Sequence, residues 1–155
     1  MSKRARLGLD LAALAVLLLG LLVGLAVFSY DPADPPGTSI HPVHVIPSNL
    51  LGAVGSLVSH ALFAMFGFAA YSILGVWFIL FLTLLLEGRR GVWCWRLLGW
   101  SLLVPGVAML AECLGLSLGR LPAGPGGQLG NSLRTALEVE LTKVGVYLVT
   151  AVTLF

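Results

Sequence analysis

The stretch LAALAVLLLGLLVGLAVFSYDPADPP, Leu11 to Pro36, decides the class of the molecule. From Leu11 to Phe28 it carries no charge and no proline. At the helical rise those residues span about 27 Å, close to the roughly 30 Å hydrocarbon core of a bilayer. Asp31, Pro32, Asp34, Pro35 and Pro36 then end the helix, because proline lacks the donor that a helix interior needs. Lys3, Arg4 and Arg6 precede the apolar run, which places the N-terminus in the cytoplasm by the positive-inside rule. A cleaved signal peptide is the competing reading, but its apolar core is usually about 7–15 residues and ends in a small-x-small site. This run is longer and ends in Val27-Phe28-Ser29-Tyr30, so a retained anchor over residues 8–29 is expected.

Composition extends that reading to the whole chain. Of 155 residues, 58% are apolar and only 10% charged, with a mean hydropathy of +0.99. Soluble domains average about 25% charged residues, and these are too few to coat a soluble globule. The net charge of +2 excludes a strongly basic nucleic-acid surface. Cys94 and Cys113 show no CxxC or Cys/His spacing, so neither a disulfide framework nor a zinc site is indicated.

Moving outward, residues 30–48 hold five prolines, two aspartates and no Lys or Arg, which predicts an outer loop. Residues 50–86 are almost continuously apolar, and as one helix would measure about 55 Å, too long for an upright span. The expected division is an interfacial helix over 49–60, capped by Ser48 and Asn49, followed by a span over 61–86. Its apolar face would comprise Leu50, Leu51, Val54, Leu57 and Val58. Arg89, Arg90 and Arg96, beside Trp93, Trp95 and Trp100, mark residues 87–96 as a cytoplasmic loop. A third span is predicted over 97–118 and kinked by Pro105, followed by an outer loop over 119–131. The final segment, 136–155, is mixed. Glu140 and Lys143 are spaced to pair, and Val144–Phe155 is uncharged but only about 18 Å long. Either this span is tilted and partly interfacial, or the chain continues beyond Phe155; the second is the expectation.

Three segments then align with a known pattern: AVFSYDPADP (Ala26–Pro35), NLLGAVGSLVSHALFAMFGFAAY (Asn49–Tyr71) and PAGPGGQLGNSL (Pro122–Leu133), before a terminal VTLF. The chain resembles the N-terminal four-helix membrane domain of the FtsK/SpoIIIE DNA translocases. The residues carrying the resemblance are Ser29, Tyr30, Asp31, Pro32, Asp34, Pro35, Asn49, Gly52, Gly55, Gly126, Gly127 and Gly130. It implies an all-α membrane protein with four transmembrane helices, both termini cytoplasmic, in the bacterial inner membrane. It also implies a role in anchoring a motor at the division septum during chromosome segregation. The partners implied are the bilayer, other copies of the domain and septal membrane proteins, with DNA reached only through the motor. No GxxxxGK[ST] phosphate loop is present in these residues, so no ATPase activity is expected of them.

Individual candidates remain. Gly20 and Gly24 form a GxxxG pair, which serves either self-association or packing within the chain. Glu112 is an embedded carboxylate, expected to be neutral or paired with Arg120, Arg134 or Lys143. A small transporter or channel subunit, with Glu112 and Pro105 marking a path, is the alternative function. His41, His44, Asp31 and Asp34 share one loop, but this is not the i, i+4 helix geometry of zinc enzymes. No metal, no other cofactor and no catalytic residue is expected, and His60 reads as interfacial.

Overall fold

In the computed structural model, which describes residues 3–37, 42–85, 93–115, 121–140 and 143–154, helix α1 runs from Lys3 to Phe28. The helices α2 (Gly52–Phe66), α3 (Ala69–Leu85), α4 (Trp93–Cys113), α5 (Gly127–Glu140) and α6 (Lys143–Leu154) follow. Every regular element among the described residues is a helix. Leu11, Leu14, Leu18, Leu21, Leu22 and Leu25 of α1 are all roughly half exposed. In water each would forfeit about 1 kcal/mol of burial free energy, a penalty that lipid removes.

Helices α1 and α3 run antiparallel. The Phe28 and Tyr71 rings lie 6.0 Å apart at one end, and Trp77 meets Gly20 further along. The Trp77 indole Nε1 donates to the Val16 carbonyl at 2.8 Å. This approach requires a glycine at position 20, where a Cβ would sit 2.6 Å from Trp77 Cδ1. At Gly24 an added Cβ would meet nothing within 4 Å. The GxxxG pair is thus divided: one glycine seats a tryptophan of the same chain, and the other is open.

The core lies where the end of α1, the middle of α2 and the start of α3 converge. Val27, Phe63 and Ala70 are fully buried there, with Val23, Tyr30, Leu62, Leu74 and Leu121 packed around them. Helix α2 turns Gly55, Ser56, Ser59 and Phe63 inward and leaves Val54, Leu57 and Met65 exposed. Hydroxyls inside and aliphatic side chains outside invert the pattern of a soluble helix.

Several boundaries differ from the sequence reading. The break in the long apolar run falls at Gly67-Phe68, not near His60, and α2 and α3 meet there at 109°. Gly67 adopts φ +55°, a left-handed conformation that favours glycine. The Pro125 carbonyl fixes the bend by accepting from the Phe68 N–H at 2.7 Å. The partner that sets the break lies some 57 positions downstream, beyond the reach of local pattern. Ser48 and Asn49 do not cap α2, whose first turn has no side-chain cap. Residues 93–96 are helical instead of loop, as are 127–131, and α4 continues through Pro105. Residues 136–155 contain the end of α5 and all of α6, while 141, 142 and 155 lie outside the described residues.

Among the described residues, α1 over Asp10–Phe28 is by itself long and apolar enough to cross a membrane, and the bent α2–α3 pair is so jointly. Helix α4 packs against α5 and α6. Close approach there depends on small residues: a Cβ on Gly130 would lie 2.5 Å from the Ala108 carbonyl oxygen.

The divided glycine pair gives an asymmetric prediction. Gly20→Ile should destabilise the domain by about 1–3 kcal/mol, the usual range for overpacking. Gly24→Ile should stay within about 0.5 kcal/mol of wild type. Unfolding in detergent micelles measures both, and equal effects would contradict the α1–α3 packing.

Candidate functional site

The motif residues Ser29 to Pro35 and Asn49 to Gly55 converge on one hydrogen-bonded clasp at the end of α1. Asp31 starts it locally: its Oδ1 accepts from the Ala33 N–H at 2.8 Å, an Asx turn. The Asp34 N–H donates to the Asp31 carbonyl and the Gly37 N–H to the Asp34 carbonyl, closing successive turns. The Pro35–Pro36 peptide is cis. These turns place the Asp34 side chain inside the loop, only 2% exposed.

Asp34 gathers the distant end of the loop. Its Oδ1 accepts from the Ser48 N–H at 2.9 Å and lies 2.8 Å from His44 Nδ1. Its Oδ2 accepts from the Asn49 N–H at 2.9 Å, and the Ser48 hydroxyl reaches both oxygens at 3.1 Å. Burial pushes this carboxyl upward, but the Ser48 N–H, His44, the Asn49 N–H and the Ser48 hydroxyl together hold it below the usual carboxylate range. Tyr30, next to Asp31 in sequence, packs at a tilt against Phe63 with ring centroids 4.6 Å apart. Burial and the neighbouring Asp31 push its phenol up to about 12.

Asn49 is the second hub, and only 4% exposed. Its Nδ2 donates to the Ala26 carbonyl at 2.9 Å and the Ser29 carbonyl at 3.2 Å. These belong to the last turn of α1 and the residue just past it, where helix carbonyls lack intrahelical donors. Asn49 therefore satisfies the C-terminal end of α1 instead of capping α2. Its Oδ1 accepts from the Leu51 N–H at 3.1 Å. The Ser29 hydroxyl bonds the Leu25 carbonyl and accepts from the Leu50 N–H at 3.1 Å. Gly52 sits at the start of α2 with its N–H on the Asn49 carbonyl. At Gly55 a Cβ would lie 2.0 Å from Asn49 Oδ1, so no larger residue lets α2 pass. The Ser56 hydroxyl ties α2 to the Pro35 carbonyl.

A second junction holds the other motif. The Gly126 N–H donates to Glu112 Oε2 at 3.0 Å, at the start of α5. The positive end of the α5 dipole favours a carboxylate there. Among the described residues, Glu112 thus meets a backbone amide. Arg134 pairs instead with Glu138 at 2.8 Å, Arg120 lies outside the described residues, and nothing is described of the Lys143 side chain. Gly126 and Gly127 press against α4 and the α2–α3 bend: Cβ atoms there would come within 2.4 Å of the Ala108 carbonyl oxygen and 2.5 Å of the Gly67 nitrogen.

Of the topology residues, Lys3, Arg4 and Arg6 lie in the first turns of α1 and Arg96 in α4, with side chains outside the described residues. Arg89, Arg90 and His41 lie outside them altogether. Ligand atoms of Asp31, Asp34 and His44 come within 4.8 Å of one another, close enough to share a cation. The Asp34 oxygens, however, already face two backbone N–H donors, the Ser48 hydroxyl and the His44 ring, so this carboxylate's geometry is that of a chain-to-chain tie. Nothing local in the sequence announces that His44 and Ser48 bind Asp34; the signal is their place between the Pro35–Pro36 turn and an apolar helix.

The all-helical fold, its lipid-compatible exterior and its locked turns define a helical membrane domain built around structural ties. Over residues 5–155 the chain matches the 4TM region of DNA translocase FtsK/SpoIIIE, and it belongs to that family. That region is a membrane domain separate from the translocase motor. No curated protein and no solved structure matches the chain.

The depressed Asp34 carboxyl sets a pH dependence. Its folded-state pKa lies below the unfolded value of about 3.9. Its stabilising contribution is therefore complete well above pH 4 and is lost as pH falls through the folded value. Thermal melting across an acid series should show a steep loss of stability for wild type. Asp34→Asn should be weaker by about 2–3 kcal/mol at pH 7 and show a flatter acid limb. Parallel acid limbs would remove Asp34 from the clasp.

Proposed function

We propose that this chain is the membrane-anchoring and assembly domain of an FtsK-like DNA translocase acting in cell division and chromosome segregation. It resides in the bacterial inner membrane as a multi-pass domain with both termini cytoplasmic. The observation that carries this reading is the family match over residues 5–155. Four crossings are assigned to α1, to α3 with α2 lying across its outer end, to α4, and to α5 with α6. The domain contributes no catalysis and binds no cofactor. It engages the bilayer, further copies of itself and septal membrane proteins, and DNA is handled by the motor alone.

The alternative, a transporter or channel subunit with an embedded carboxylate, loses support because Glu112 is held by the Gly126 amide. A group that relays ions needs company at matching depth, and a locally satisfied carboxylate serves packing.

The test joins this chain at Phe155 to the linker and motor of a translocase whose own membrane domain has been removed. The fusion should concentrate at division septa and restore chromosome segregation. Alkaline phosphatase fused at Phe155 should be inactive and a fluorescent protein there should glow. A diffuse membrane signal without rescue, or an active phosphatase, would contradict the proposal.

A further inference from the structure

Helices α1 and α3 enclose a groove of about 270 Å³ on the outer half of their contact. Leu21, Gly24, Phe28, Leu74, Trp77 and Phe78 line it. We propose that this groove is a binding site for a single phospholipid acyl chain, an inference that rests on the membrane reading above.

The lining chemistry selects the ligand. No charged side chain faces the groove, and its one polar side-chain atom, Trp77 Nε1, is already bonded to the Val16 carbonyl at 2.8 Å. A polar headgroup or a soluble metabolite would find nothing there to pair with, and an unpaired polar group in an apolar site costs several kcal/mol. The volume lies just below the ~300–1,000 Å³ of ordinary small-molecule pockets. A length of hydrocarbon chain suits that space.

Shape separates an acyl chain from a second protein helix. Helices that pack through GxxxG need both glycines free on one stripe, so that backbones can meet. Both glycines line this groove, but the Trp77 ring lies against Gly20, and only Gly24 has open space where a Cβ would be. Phe28 and Phe78 stand at the rims and are largely exposed. A helix is about 10–12 Å across and would rest on these rings without reaching the floor. A flexible hydrocarbon chain enters between them and fills the floor, recovering dispersion contacts that a void forfeits. Leu21 and Leu25, which line the groove, are themselves about half exposed, so lipid reaches it laterally. Self-association of the domain accordingly uses another surface.

Trp77 supplies the reporter. In a full-length chain carrying Trp93→Phe, Trp95→Phe and Trp100→Phe, Trp77 is the sole tryptophan. The protein is reconstituted in vesicles of phosphatidylcholine, either unmodified or with acyl chains dibrominated at mid-chain, and fluorescence quenching is compared. Wild-type Trp77 should be strongly quenched. Gly24→Leu, which fills the floor, should cut that quenching at least twofold, and Gly24→Ala should cut it by less. Gly75→Leu, on an exposed part of α3 where an added Cβ meets nothing within 4 Å, should leave it unchanged. Helical circular dichroism identical to wild type accompanies these outcomes. Quenching insensitive to Gly24→Leu, or reduced equally by Gly75→Leu, overturns the acyl-chain site. Efficient disulfide cross-linking between copies through Gly24→Cys overturns it in favour of a second helix. None of these results depends on septal localisation, so failure of the groove and failure of the anchor reading are distinguishable.

Discussion

Asp34 and Asn49 are polar groups almost withdrawn from solvent at the rim of an apolar domain, and the geometry of the first three helices depends on their being satisfied. Asp34 binds consecutive backbone amides at 48 and 49, which presents the Asn49 side chain to the open carbonyls ending α1. With that amide seated, α2 starts directly beneath it, and Gly55 is needed for the passage. The order of causes therefore runs from a loop carboxylate, through a side-chain amide, to the placement of a helix. A hydrogen bond to a charged group contributes about 1.5–3 kcal/mol, and an unmade bond at a buried group costs a comparable amount. Such a cluster specifies one arrangement more sharply than aliphatic contacts, which tolerate sliding.

The same logic governs the second junction with a weaker set of groups. Gly67, Gly126, Gly127 and Gly130 bring α2, α3, α4 and α5 to backbone contact, and Glu112 anchors one of the amides exposed there. Lipid offers no hydrophobic drive between helices, so close backbone approach and hydrogen bonds carry association. Both motifs that carry the resemblance thus perform structural work: one secures a loop to α1, the other lets four helices cross.

Legibility from sequence followed the range of the forces involved. The apolar character of α1 and the loop after Tyr30 are local properties, so hydropathy and proline content located them. The α2–α3 break departs from the position that hydropathy predicts because the bend at Gly67 is fixed by Pro125, and nothing near Gly67 announces that partner. The usual preference of Asn for a helix start predicts that Asn49 caps the helix that follows it. Its amide instead reaches back 23 positions to Ala26. The motif residues themselves were identifiable through the family resemblance, but their mutual contacts were not. The Gly20–Gly24 spacing was legible, yet only the position of Trp77 separates the two glycines into a packed site and an open one.

The Asn49 side chain couples the end of α1 to the start of α2. Hydrogen–deuterium exchange of Asn49→Ala, in micelles at neutral pH, tests it most directly. Exchange should be faster over residues 25–30 and 50–56, with protection in α4 and α5 unchanged. Exchange identical to wild type at the end of α1 would contradict it.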